Sequence, residues 1–289
     1  MMENVYLNGQ FMPLSAAKIS PMDRGFLFGD GVYEVIPVYA GHLFCLEEHL
    51  ARLQYSLDGI RLENPHSNDE WQQIFTTLIG NDCDSDQSIY LQITRGEMSS
   101  RNHAFIGEET LYPTVFATCS SLPKPSEEPL TRGVRVITLD DIRWQNCHLK
   151  VTSLMANVLL KQQAEDAGCA EALMIRDGLV TEGATSNFFI VKAGVIITPP
   201  KNNEVLPGIT RDLTLKLAQE NNIDVVEKPV NFEVLNEADE IWITSSTREI
   251  LPVTSIDGNT VGNGRIGPLW KKMNAYFTSY KNQLRARYD

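Results

Sequence analysis

The sequence predicts an α/β protein of two domains, a smaller N-terminal α/β domain and a larger C-terminal α/β domain built on a barrel-like sheet. Three observations carry that prediction. The chain has 289 residues, more than one hydrophobic core ordinarily organises. A proline-rich stretch, S-S-L-P-K-P-S-E-E-P-L-T from Ser120 to Thr131, has no apolar period and reads as a stiff linker. Beyond it, short β-rich runs recur at even spacing between Asp-Gly and Ala-Gly turns, which is how a barrel or sandwich sheet reads. The expected boundaries are residues 1–120 for the first domain, 121–131 for the linker and 132–289 for the second.

The elements follow in chain order. Val5-Tyr6-Leu7, Asn8-Gly9 and Gln10-Phe11-Met12 are strand, two-residue turn and strand, so the chain opens with a hairpin. V-Y-E-V-I-P-V-Y, starting at Val32, is rich in β-formers and turns back at Ala40-Gly41 into His42 to Cys45. Leu46, Leu50, Leu53 and Leu57 step by four, three and four along a helix that Gly59 is expected to close as a left-handed cap. A helix over Asp69 to Ile79 and strands at Ser88 to Arg95 and Thr114 to Thr118 complete the first half. In the second half Val134 to Leu139 reads as a buried strand, and Leu154, Met155, Val158 and Leu159 as the apolar face of a helix capped by Thr152 or Ser153 and stopped at Gly168. Further helices start at Ile209-Thr210 and after Gly267-Pro268, with a strand at Glu240 to Thr244.

Composition narrows the function. With 43% hydrophobic and 21% charged residues the chain is that of a globular protein with a real core. A formal charge of −12 argues against nucleic-acid or anionic-membrane partners, which select basic surfaces. Cys45, Cys83, Cys119, Cys147 and Cys169 are odd in number, scattered and without a C-x-x-C pair, which suits a reducing compartment. No signal pattern opens the chain, and no apolar run reaches the roughly 18 residues of a membrane helix. A cytoplasmic protein is expected.

Among motifs, Gly262-x-Gly264-x-x-Gly267 matches a dinucleotide fingerprint in letters only, because no β-α-β unit can follow it before Asp289. The histidines at 42, 49, 66, 103 and 148 have no metal-ligand spacing, and no G-x-S-x-G marks a hydrolase. What remains concerns anions and an amine. Leu206-Pro207-Gly208 delivers Ile209 and Thr210 to a helix start, where free N–H groups favour phosphate. Four hydroxyls cluster at Thr244, Ser245, Ser246 and Thr247, and the loop T-R-G-E-M-S-S-R-N-H holds Arg95, Arg101 and His103. Lys150 sits at a strand-to-helix hinge, and T-E-G presents Glu182. An amine, an acid, a phosphate cradle and a carboxylate trap together suit a phosphorylated aldehyde cofactor, bound as a Schiff base with its ring nitrogen held by the acid.

The blocks D-R-G-F-L-F-G-D-G-V-Y-E-V, E-E-H-L-A-R-L, T-R-G-E-M-S-S-R-N-H, D-I-R-W-Q-N-C-H-L-K, V-T-E-G-A-T-S-N, L-P-G-I-T-R-D and T-S-S-T-R-E-I occur in that order. In this the chain resembles the class IV pyridoxal-phosphate aminotransferases of fold type IV, and among them the D-amino-acid aminotransferases. The resemblance implies a homodimer that binds pyridoxal 5'-phosphate and moves an amino group from D-alanine to 2-oxoglutarate. It implies that Lys150 carries the cofactor and shuttles a proton, and that Glu182 pairs with the ring nitrogen. Arg52, Ile209, Thr210 and Ser246 hold the phosphate, with Thr247 close by and Leu206 against the ring. Tyr33, Arg101 and His103 trap the substrate α-carboxylate, the last two from the second subunit. The spacer before Arg101 is one residue longer than the usual form, and Ala184-Thr185-Ser186 stands where a serine-rich turn is usual. Alternatives within the fold are a branched-chain L-amino-acid or amine transaminase and an aminodeoxychorismate lyase. His148, two residues before Lys150, is expected to pack in the core.

Overall fold

In the computed structural model of the chain, residues 4–80, 85–105, 111–122 and 127–286 are described; Cys83 and residues 123–126 of the expected linker lie outside them. Two compact units result, Met1–Pro123 with Leu149–Ser153, and Lys124–His148 with Leu154–Asp289.

The first unit opens with the expected hairpin, β1 (Asn4–Leu7) and β2 (Gln10–Pro13). Asn8 and Gly9 close it at φ 46° and 89°, the two left-handed positions that a tight turn of this kind demands. A short α1 (Arg24–Phe28) is capped by the Asp23 carboxylate, which accepts from Gly25 N at 2.7 Å. Then come β3 (Gly31–Tyr39), β4 (His42–Leu43), α2 (Leu46–Gly59), α3 (Asn68–Ile79), β5 (Gln87–Thr94) and β6 (Thr114–Ser121). The strands form one antiparallel sheet in the order β2-β1-β6-β5-β3-β4. Leu50, Leu53 and Leu57 of α2 and Trp71 and Phe75 of α3 are buried in one core with Ile36, Ile89 and Leu91 of the sheet. Ser67 and Glu70 start α3 with a reciprocal capping box. One expectation is corrected here. Gly59 is not the left-handed residue after α2; Arg61 is, at φ 58°. Glycine at 59 answers to space instead, since a Cβ there would stand 2.4 Å from Leu149 Cδ2, beside Lys150.

The second unit contains α4 (Glu127–Arg132), β7 (Val134–Asp140), α5 (Met155–Asp166), β8 (Glu171–Arg176), β9 (Leu179–Gly183), β10 (Asn187–Lys192), β11 (Val195–Thr198), α6 (Ile209–Glu220), β12 (Val225–Glu227), β13 (Val230–Asn231), β14 (Glu240–Ser245), β15 (Glu249–Ile256), β16 (Asn259–Thr260) and α7 (Pro268–Ala286). Its sheet is mixed and runs β12-β11-β10-β14-β15-β7-β8-β9-β13, with β16 on β15. The run from β10 to β9 is barrel-like: those two strands lie at its opposite ends, yet they touch and are joined by a three-residue turn in which Gly183 N donates to Ser186 O at 2.7 Å. Val136, Leu173, Phe188, Ile190, Ile241, Ile243 and Leu251 are buried together in its core. The central β15 escapes the sequence reading, because Pro252 argues against an inner strand; a register shift between Val253 and Ser255 marks the irregularity on its β7 side.

The helix after Lys150 departs from expectation twice. Its N-cap is Leu154, without a side-chain cap, while the Thr152 and Ser153 hydroxyls donate to Gly29 O at 2.8 and 3.0 Å. They secure the lysine segment to the first unit instead of starting α5. The apolar face expected to be buried is turned outward, with Met155, Val158 and Leu159 70%, 58% and 49% exposed. Within its unit α5 buries Leu160 and Ala164 instead, in a cluster with Ala172 and Met174.

Candidate active site

Lys150 lies in the five residues, Leu149–Ser153, that pack with the first unit although the chain on either side belongs to the second. Its backbone is pinned from several sides. Lys150 N donates to Ser56 Oγ at 3.1 Å, Tyr33 N donates to Lys150 O at 3.0 Å, and Val151 bridges to Val32. The half-buried Lys150 side chain places Nζ 4.1 Å from the centroid of the Tyr33 ring, a cation–π contact that holds the amine over an aromatic face.

Next to Tyr33 on β3, Glu34 points to the opposite face of the sheet, as strand alternation requires, and is buried. Arg52 donates to it through Nε at 2.8 Å and Nη2 at 2.7 Å, and His49 Nδ1 lies 2.8 Å away. Burial pushes the Glu34 carboxyl up, but Arg52 and His49 outweigh it and hold the acid well below the usual carboxylate range. Burial also lowers His49, opposed by Glu34 and reinforced by the charges of Arg52 and Lys150. Arg52, expected at a phosphate, is held in the folded chain by this buried ion pair with Glu34, with His49 hydrogen-bonded to the same acid.

Arg101 and His103 share one exposed loop on α1. The Arg101 guanidinium lies 4.8 Å from the Phe28 ring centroid, and the His103 ring 5.1 Å from it. The loop is braced by Arg24, whose Nη1 and Nη2 donate to the carbonyls of Asn102 and His103 at 2.6 and 2.9 Å while Nε donates to Asp30 at 2.7 Å. Arg95 donates twice to the same Asp30, and Phe105 lies over the Arg95 guanidinium at 3.8 Å. The loop is therefore tied down at the two carbonyls that follow Arg101.

In the second unit Glu182 ends β9 and is buried. Its carboxylate accepts from Arg143 Nη1 at 2.5 Å, from Asn187 Nδ2 at 3.0 Å and from Leu206 N at 3.2 Å. Burial pushes Glu182 up to about 7 even though Arg143 and the Leu206 N–H pull it down. Asn187 also donates to Leu206 O at 2.9 Å, so one amide ties the acid to the L-P-G turn. Gly208 is required there, since a Cβ would lie 1.8 Å from Asn187 Oδ1. The helix α6 then starts with Ile209 and Thr210 buried and its first turn without a side-chain cap. That leaves backbone N–H groups for an anion. Across the β10–β14 ladder Thr244 faces Asn187, and its buried hydroxyl has no hydrogen-bond partner among the described residues. Ser246 and Thr247 occupy the turn after β14, half-buried and exposed respectively. The turn is anchored by Arg248, whose Nη2 donates to the buried Glu171 at 2.5 Å; the hydroxyls of Thr185 and Ser186 donate to the same oxygen at 2.6 and 3.0 Å.

Each unit thus groups its share of the expected residues. The first joins Lys150 with Tyr33 and holds Arg101 and His103 on one loop; the second joins Glu182, Leu206 and the α6 start with Asn187. His148, expected in the core, is half-buried, with Nδ1 3.4 Å from Asn203 O. Arg143, Asn187, Arg24, Glu34 and Glu171 were not singled out in the sequence. Arg143, Asn187, Arg24 and Glu34 lie inside conspicuous blocks, but nothing in the spacing shows which distant residue each meets; Glu171 lies outside every block and has no sequence signal. The donor set fits a phosphorylated pyridine aldehyde: a buried acid for a ring N–H, a capless helix start and an orphaned hydroxyl for phosphate, and a primary amine for the carbonyl.

Comparison with known proteins gives a consistent result. Residues 31–256 match the family model "Amino-transferase class IV". A D-alanine aminotransferase of Bacillus licheniformis is 44% identical over 93% of this chain and 94% of its own. Among solved structures, a branched-chain amino acid aminotransferase of Escherichia coli aligns over 96% of this chain and 94% of its own with a TM-score of 0.88 at 28% identity. Another, the T.th. enzyme with pyridoxamine 5'-phosphate, aligns over 98% and 95% with a TM-score of 0.89 at 26% identity.

Proposed function

The chain belongs to the class IV aminotransferases, and from that premise we propose that it transfers an amino group from D-alanine to 2-oxoglutarate, giving pyruvate and D-glutamate, with pyridoxal 5'-phosphate as cofactor. One observation carries the choice of substrate: the D-alanine aminotransferase shares far more of this sequence than the branched-chain enzymes that share its fold. When bound, the cofactor supplies a carbonyl that takes up the amino group and a ring that takes up the electrons left when Cα loses its proton.

In this reading Lys150 carries the cofactor and then moves the proton at the substrate Cα, which needs a primary amine on a fixed backbone. Glu182 receives the ring N–H, supported by its burial and by three donors that fix the carboxylate. Ile209 and Thr210, with Arg52, Ser246 and Thr247, hold the phosphate, and Leu206 backs the ring. Tyr33, Arg101 and His103 receive the α-carboxylate, the arginine and histidine from a second copy of the chain. The homodimer this requires is supported by the outward apolar residues Met155, Val158 and Leu159, and light scattering of the purified protein checks it. A cytoplasmic location is supported by the scattered cysteines; no described helix is long and apolar enough to cross a membrane. The deciding experiment compares D-alanine with L-leucine at fixed 2-oxoglutarate. Pyruvate from D-alanine with little turnover of L-leucine is expected. Preference for L-leucine would move the chain to the branched-chain activity, and pyruvate formed from aminodeoxychorismate without any 2-oxo acid would move it to the lyase.

A further inference from the structure

Behind Glu182 lies a charge arrangement that the reaction as described does not use. Arg143, with its side chain 6% exposed, grips Asp141 with two nitrogens, Nε to Oδ1 at 2.9 Å and Nη2 to Oδ2 at 2.8 Å. Nη2 also donates to Glu204 O at 3.0 Å. The fork is thereby fixed in orientation, and the remaining nitrogen, Nη1, is aimed at Glu182 Oε1. A bidentate grip of this kind sets the guanidinium plane, which a point cation could not do. Asp141 is steadied in turn by Thr181 Oγ1 at 3.0 Å and by Arg176 at 3.1 Å, and Arg176 reaches Glu204 at 3.5 Å. Glu182, Asp141, Arg143, Arg176 and the Cys147 thiol act on one another electrostatically in this buried cluster.

We propose that Arg143 is a positioning residue: anchored by Asp141, it fixes the Glu182 carboxylate and biases the proton shared between Glu182 and the cofactor's ring nitrogen toward the ring. The inference rests on the reading that Glu182 receives the ring N–H. Its chemistry is that of two bases competing for one proton. A buried carboxylate is a strong base, because burial penalises its charge; Glu182 is already pushed up to about 7. Unopposed, such an acid would keep the proton, and the neutral ring would be a poorer electron sink. A fixed cation on one carboxylate oxygen favours the ionised acid and returns the proton to the ring. Asn187 and Leu206 N donate to the same carboxylate, but neither carries charge.

The test uses two nuclei. In the apoprotein, the Glu182 carboxyl 13C signal, assigned by its loss in E182Q, is titrated in the wild type and in R143Q and R143K. R143Q should titrate at a pH higher by about one unit or more, a tenfold or larger change in proton affinity, and R143K, which keeps the charge, should recover at least half of it. In protein loaded with pyridoxal phosphate labelled with 15N in the ring, the R143Q signal should move toward that of an unprotonated pyridine. A support that was merely structural would leave the ring-nitrogen shift unchanged. Coincident titrations of R143Q and wild type, or R143K as displaced as R143Q, overturn the role of Arg143. A ring 15N signal indifferent to E182Q overturns instead the assignment of Glu182, whatever the apoprotein titration shows. If R143Q does not fold, R143M, equally uncharged and closer in shape to the arginine stem, carries the same test in the same direction.

Discussion

Glu182→Gln in the apoprotein gives a direct measure of how the cofactor-free site is strained. The acid is buried, and its titration lies at about 7 against an ordinary 4.5, burial being the main cause. A raised acid binds its proton more tightly in the folded state than in the unfolded one. Its contribution to stability is therefore fully present below about 4.5 and is lost as pH rises through about 7. At roughly 1.36 kcal/mol per pH unit, the loss across that window is about 3 kcal/mol. The glutamine of the variant cannot titrate. It carries a pH-independent cost of its own, because its amide N–H₂ must face donors already aimed at the site. The quantity to read is thus the change with pH in the difference between variant and wild type. Thermal or urea unfolding of both apoproteins from pH 4 to pH 8 should show the variant gaining on the wild type by about 3 kcal/mol as pH rises. A difference that stays flat would mean that Glu182 titrates in the folded chain as it does in the unfolded one, its burial fully offset by Arg143, and the argument from desolvation would be wrong.

Four further outcomes are expected. Lys150→Ala should leave no cofactor that borohydride can trap on the protein; a retained covalent adduct, read by mass spectrometry, would relocate the attachment. Gly208→Ala should drive Asn187 off Glu182 and Leu206, because the added Cβ would stand 1.8 Å from Asn187 Oδ1. Overpacking of this kind costs about 1–3 kcal/mol, measurable by urea unfolding, together with weaker pyridoxal phosphate binding by fluorescence titration. Arg101→Ala should lower kcat/KM for D-alanine by roughly 30-fold or more, as expected for removing one partner of a charge-assisted pair, with cofactor affinity unchanged; undiminished turnover would sink the clamp. Arg24→Met should raise KM for D-alanine while leaving pyridoxal phosphate binding intact, since it releases the carbonyls of Asn102 and His103 from their donor.

How much of this was legible in the sequence depends on how far apart the interacting residues lie. Hairpins were readable because Asn8-Gly9, Ala40-Gly41, Asp177-Gly178 and Ala193-Gly194 each determine their own backbone, and all eight residues take positive φ. The α6 start was readable because L-P-G-I-T is its own signal. Lys150 and Glu182 could be named because an amine and an acid suit a single cofactor chemistry. What supports them could not. Arg143 meets Glu182 across 39 residues, and Arg24 meets His103 across 79; Arg52 and Glu34, only 18 apart, meet because a helix folds back on a strand. Nothing local distinguishes such a charge from a solvated one.

The three errors around Lys150 have a related cause. A local pattern does not say what will cover it. Thr152 and Ser153 have the chemistry of helix caps, yet the carbonyl of Gly29 is a partner more than a hundred residues away in the chain, and it takes both hydroxyls. Met155, Val158 and Leu159 have the spacing of a core stripe, but the sheet of their own unit is met by Leu160 and Ala164. Gly59 has the position of a cap, yet its hydrogen is what leaves room for Leu149. All three misreadings adjoin the five-residue segment that crosses from one packing unit to the other. That crossing commits the backbone around Lys150 to hydrogen bonds with α2 and β3, far away in the chain, and leaves the side chain as the part not so tied. On the proposed reading, an amine that carries a cofactor and then transfers a proton needs that division between a fixed backbone and a mobile end, so the local rules fail where such a role would require distant partners.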